Sequence, residues 1–145
     1  MYSHLLIPID GSPLSMGAMQ TAMAFARDAG AEVTVLTVVE PFHIFTVSPE
    51  QLQAKRGEYE RQARAHAADL LAAAEREAKL LGVRCEVVQV ESDDPYLVIV
   101  ETASKRGCDL IAMASHGRRG IAALLLGSVT LKVLTHSKVP VLVYR

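Results

Sequence analysis

Three short stretches of this chain carry residue types that could hold a charged small molecule. The first is Asp10-Gly11-Ser12, a carboxylate and a hydroxyl flanking a glycine. The second is Ala114-Ser115-His116-Gly117-Arg118-Arg119-Gly120, rich in glycine and cations. The third is Gly127-Ser128, with Thr130 just beyond. If Gly127-Ser128 opens a helix, its unpaired N–H groups and positive dipole end suit a phosphate. A glycine there lets the phosphate approach the backbone, and Ser128 and Thr130 add hydroxyl donors. Glycine and serine also begin many helices for structural reasons alone.

Two familiar phosphate motifs fail here. A Walker A loop needs a lysine before its Ser/Thr, and Gly127-Ser128 has none. A dinucleotide fingerprint needs G-x-G-x-x-G after the first strand, and Asp10-Gly11-Ser12-Pro13 does not supply it. His116 could be a general base but comes with no evident nucleophile, which favours a polar or packing role. Arg118 and Arg119 suit either phosphate contact or a solvated loop.

Alternating strands and helices must position these stretches. Short apolar or β-branched runs predict strands at His4–Ile9, Glu32–Val39, Arg84–Val90, Leu110–Ala114 and Val139–Tyr144. Ser12-Pro13 predicts a helix start, with Ser12 as N-cap, and Gly30 a stop. Its apolar spacing is Leu14, Ala18, Ala22, Phe25 and Ala29. Ser48-Pro49-Glu50-Gln51 has a capping-box pattern opening a helix to about Leu81, with Gly57 as a kink or true start. Asp94-Pro95 opens a third helix to about Arg106, with Leu97, Val100 and Ala103 on one face, and Gly127-Ser128 a fourth to about His136. The order β-α-β-α-β-α-β-α-β predicts one doubly wound α/β domain over residues 1–145. Its five-stranded parallel sheet has helices on both faces and order 3-2-1-4-5. Ligands of such sheets sit where the order reverses, here between strands 1 and 4. The first two polar stretches follow those two strands.

Composition narrows the classes of function. With 145 residues, 50% hydrophobic, the chain is long enough for one full core. Lys+Arg 15 against Asp+Glu 16 gives a net charge of −1, without the basic excess of a nucleic-acid binder. No apolar run is long enough to span a membrane. The start, Met1-Tyr2-Ser3-His4-Leu5, shows no secretory signal, and Cys85 and Cys108 lack disulfide or zinc spacing. The expected compartment is the cytoplasm, with both cysteines reduced and packed as small apolar residues.

The stretches Leu6-Ile7-Pro8-Ile9-Asp10-Gly11-Ser12, Met113 through Thr130, and His136-Ser137-Lys138-Val139-Pro140-Val141-Leu142-Val143 resemble the universal stress protein family over the whole chain. The ATP-binding branch is similar to a G-x2-G-x9-G-[ST] pattern. Ala114-x2-Gly117, nine residues Arg118–Leu126 and Gly127-Ser128 match its spacing, with Ala114 in place of the first glycine. The resemblance implies a Rossmann-like, adenine nucleotide alpha hydrolase-like fold that binds ATP with Mg²⁺ on its phosphates. It places Pro8, Asp10 and Val38 on the adenine and ribose side, with Met113, Ala114 and Gly117 around ribose and phosphates. Gly127, Ser128, Val129 and Thr130 would then hold phosphates. The bottom-up reading reaches Asp10, Gly117, Gly127 and Ser128 independently, whereas Val38, Met113 and Val129 rest on the resemblance.

The expected role is a nucleotide-gated regulatory or interaction module in stress response. Any enzymatic activity is limited to slow ATP hydrolysis or self-phosphorylation on Ser128 or Thr130. The resemblance also implies a homodimer through Val139–Tyr144, and an apolar edge strand there gives a physical reason to pair with a second copy. One alternative, favoured by Ala114, is the same fold working as a dimeric interaction protein without nucleotide. A receiver domain needs an acceptor aspartate, which Glu91-Ser92-Asp93-Asp94 offers, and a lysine after the last strand, which is missing. A flavodoxin needs aromatic cover for a flavin, and aromatics are 5%.

Overall fold

The computed structural model describes residues 1–43, 49–117 and 125–145. The element order is β1 (His4–Ile9), α1 (Pro13–Ala29), β2 (Glu32–Val39), α2 (Pro49–Leu81), β3 (Cys85–Glu91), α3 (Pro95–Lys105), β4 (Leu110–Ala114), α4 (Ser128–His136) and β5 (Val141–Tyr144). The five strands form one parallel sheet in the expected order β3-β2-β1-β4-β5.

Side-chain alternation along β1 explains why both faces are covered. Leu5, Ile7 and Ile9 pack with Met19, Met23 and Leu71 on the α1/α2 side. Leu6 packs with Leu36, Ile99 and Val133 on the α3/α4 side. A central strand facing two helical layers must be apolar at every position, so HLLIPI reads as a continuous run.

Local signals explain most of the boundaries. Ser12 caps α1 by accepting from Ser15 N, Pro13 takes the first turn, and Gly30 closes the helix in the left-handed region. The buried stripe of α1 is Ser15, Ala18, Met19, Ala22, Met23 and Ala26. It is rotated from the expected face, because the long methionines reach β1 better than Leu14 or Ala29. In α3 the buried residues are Ile99 and Ala103, whereas Leu97 is 42% exposed. Asp94 makes no side-chain cap bond; its own N–H donates to Ser92 Oγ. α2 is continuous over 33 residues through Gly57, which does not start it. β3 begins one residue later than expected and β5 begins at Val141, because Ser137 Oγ binds Val139 N and O in a turn. The proposed cap Ser48 and the loop residues Arg118, Arg119 and Gly120 lie outside the described residues.

A carboxylate fastens the start of β1 to β4. Asp109 accepts from Ser3 N, Ser3 Oγ and His4 N at 2.9–3.0 Å. Burial acts to raise its pKa, but these hydrogen bonds outweigh it and hold the carboxyl below its ordinary 3.8. The stabilisation is therefore present above about pH 4, the range of an unfolded aspartate, and is lost as pH falls through the lower folded value. Asp109→Ala is expected to cost about 1–3 kcal/mol in urea denaturation at pH 7. The deficit relative to wild type should shrink as the pH drops below about 4.

Candidate functional site

The crevice starts with a proline. β1 pairs with β2 along its whole length, to Ile9↔Thr37, but with β4 only at Leu5↔Leu110 and Leu6↔Ile111. Pro8 has no N–H with which to carry a ladder further, so the two strands part at their carboxyl ends. This is where the strand order reverses and where the sequence places its ligand.

The β1–α1 loop forms one wall. Asp10 Oδ1 accepts from Ser12 N at 2.9 Å, and Asp10 N donates to the buried Ser15 Oγ at 3.0 Å. These bonds fix the direction of the carboxylate. Gly11 has φ +85°, a conformation side chains resist. A Cβ on it would also lie 3.2 Å from both Leu70 methyls and 3.4 Å from His66 Nε2.

The β4 end and the start of α4 form the other wall. Ala114 is buried at the last position of β4 and, like every non-glycine described, does not have positive φ. Its methyl therefore imposes no left-handed strain. Gly117 and Gly127 serve by leaving room, since neither has positive φ. A Cβ on Gly117 would lie 2.6 Å from Asp10 Oδ2, so the two walls nearly touch. A Cβ on Gly127 would lie 3.2 Å from Ser115 O and 3.3 Å from His116 Cα.

Two hydrogen bonds aim α4 at this opening. Gly127 N donates to Ser115 O at 2.7 Å, and Thr130 Oγ1 donates to Ala114 O at 2.9 Å. Thr130 is only 2% exposed. The Gly127 N–H and the Thr130 hydroxyl hydrogen, both read from the sequence as phosphate donors, thus go to backbone carbonyls. What α4 presents is the first-turn N–H groups of Ser128, Val129 and Thr130, which have no acceptor within the helix, and the exposed Ser128 side chain. Pro8 and Val38 are half-buried, Met113 is buried in the α3/α4 core, and Val129 and Val38 pack against that core. Ser115 Oγ lies 3.0 Å from His116 Nδ1, consistent with a polar role for that histidine.

Two other features of the molecule offer less chemistry. A cavity of about 300 Å³ at the opposite edge of the sheet is lined by His4, Glu32, Arg84, Glu86 and Arg106. Its arginines already pair with Glu32 and Glu86, so it has no spare charge for an anion. Burial is the main cause that pushes both free thiols, Cys85 and Cys108, up to about 11, which leaves them protonated and unreactive at neutral pH.

An open parallel sheet, a parted pair of central strands and a helix N-terminus at the gap define a doubly wound α/β domain with a crevice at its switch point. Residues 1–145 match the universal stress protein family, and the chain belongs to that family. It is 32% identical to universal stress protein MJ0531 of Methanocaldococcus jannaschii, over all of this chain and 83% of that one. It is 30% identical to universal stress protein YxiE of Bacillus subtilis over the full length of both. The solved structure of protein MJ0577 superposes with a TM-score of 0.82 at 29% identity, covering 99% of this chain and 95% of that one. A universal stress protein crystallised with cAMP superposes with a TM-score of 0.73 at 28% identity, covering 99% and 97%.

Thr130→Val keeps the shape but leaves the Ala114 carbonyl without its donor. It is expected to lower stability by about 1–3 kcal/mol in urea denaturation, with Thr130→Ser close to wild type.

Proposed function

We propose that this chain binds an adenine nucleotide in the β1/β4 crevice and acts as a nucleotide-gated regulatory module. The observation that carries the reading is the aim of α4. Its first-turn N–H groups, which have no acceptor within the helix, and its positive dipole end are held at the crevice by the bonds to Ser115 O and Ala114 O. The similar structure with cAMP supports the choice of ligand class. Phosphates would lie on the first turn of α4, near Gly117 and Gly127. The nucleoside would lie toward Pro8, Asp10 and Val38, with Met113 and Ala114 beneath.

The donor set fits Mg²⁺ held chiefly by the nucleotide. No group of three or more His, Cys, Asp or Glu that could hold a metal occurs among the described residues. Mg²⁺ commonly keeps its waters and binds substrate phosphates with one or two carboxylates. Mg²⁺ on the phosphates would offset their charge in a crevice that also holds the Asp10 carboxylate. Ser128 is the exposed hydroxyl at the α4 start, so it, rather than Thr130, is the group open to self-phosphorylation.

The reading without nucleotide rests on Ala114. Its ordinary strand backbone removes the strain that would have favoured that alternative, so nucleotide binding is the better-supported function. No helix among the described residues is long and apolar enough to cross a membrane. The proposed assembly is a homodimer through β5, whose four residues are all half-buried and whose outer edge faces no other strand of the sheet.

Purified chain is expected to release adenine nucleotide on denaturation, or to bind Mg-ATP in calorimetry. Gly117→Val should displace Asp10 and weaken binding about tenfold or more while the circular dichroism spectrum stays native. A flat titration together with no released nucleotide refutes the assignment. Light scattering at micromolar protein should give twice the 15.7 kDa chain mass; a monomer mass would refute the dimer.

A further inference from the structure

We propose that His66, on α2, is a ligand-contact residue of this crevice that recognises the nucleoside half of the bound nucleotide. The inference rests on the adenine-nucleotide reading above. Much of α2 between residues 58 and 77 is exposed and charged, and His66 is set apart there by its contact with the β1–α1 loop.

α2 has 33 residues, about 50 Å of helix, against strands of at most eight residues, about 27 Å. The helix must overrun the sheet. Its buried residues are Ala67, Leu71, Ala74 and Ala78, all in the C-terminal half. His66 immediately precedes the first of these, where α2 passes the carboxyl edge of the sheet.

His66 Nε2 lies 3.4 Å from where a Gly11 Cβ would be, so the imidazole sits directly over the β1–α1 loop. The ring is exposed, and no hydrogen bond or ion pair within the described residues engages it. The edge therefore reads, in order, α4 start, Gly117, Asp10, Gly11, His66. Phosphate is drawn to the α4 end, so the nucleoside extends toward Asp10 and His66. A neutral imidazole offers one donor and one acceptor, which suits the nitrogens of a purine edge or the ribose hydroxyls.

Calorimetry with ATP, adenosine and inorganic tripolyphosphate, on wild type, His66→Ala and His66→Gln, tests this. His66→Ala should weaken ATP and adenosine by the same factor, about tenfold, and leave tripolyphosphate unchanged. His66→Gln should recover part of the loss, since an amide keeps both a donor and an acceptor. The His66 ring resonances of the wild type should shift when adenosine is added. Unshifted resonances overturn the inference, as does a His66→Ala protein that binds ATP as tightly as wild type or loses ATP but not adenosine. In those cases the nucleotide reading stands. Wild type that binds no adenine ligand overturns both.

Discussion

Pro8 lies in a central strand with no N–H to give, and β1 pairs with β4 only as far as Leu6↔Ile111. A proline inside a sheet normally weakens it, since a ladder bond is lost. Here the loss falls where the strand order reverses. Pro8 removes a ladder bond at the gap that the topology opens, and the crevice walls are built around it.

The walls are held by bonds that have nothing to do with a ligand. Asp10 is fixed by Ser12 and Ser15, and α4 by the carbonyls of Ser115 and Ala114. Groups already committed in this way lose little freedom when a ligand arrives, so less of the binding energy is lost to ordering them. The same bonds occupy two donors that sequence reasoning assigns to phosphate. The glycines divide by role as well. Gly11 is required by its backbone angle, while Gly117 and Gly127 are required by the Asp10 carboxylate and the Ser115–His116 backbone above them.

Neutral net charge and anion binding are compatible in this arrangement. A chain with net charge −1 has no electrostatic field to spare for a polyanion. Backbone N–H groups at a helix start supply positive potential without adding a formal charge. The composition predicts no nucleic-acid partner on that ground, and it leaves a nucleotide open.

The sequence by itself determined the element order, the parallel sheet and the location of the crevice. Apolar runs, caps such as Ser12 and stops such as Gly30 act over a few residues, and the crossover rule then leaves few topologies. It located Asp10, Gly117, Gly127 and Ser128 because loops at a switch point must carry polar and small residues. Tertiary structure alone decided which face of α1 and α3 is buried, since methionine reach and helix rotation depend on the partner surface. It decided that Thr130 is a buried latch, because its acceptor, the Ala114 carbonyl, is far away in sequence. It also decided that His66 stands over Gly11. Nothing local marks one histidine on a charged helix; only the packing of α2 against α1, β2 and β3 brings that side chain to the β1–α1 loop.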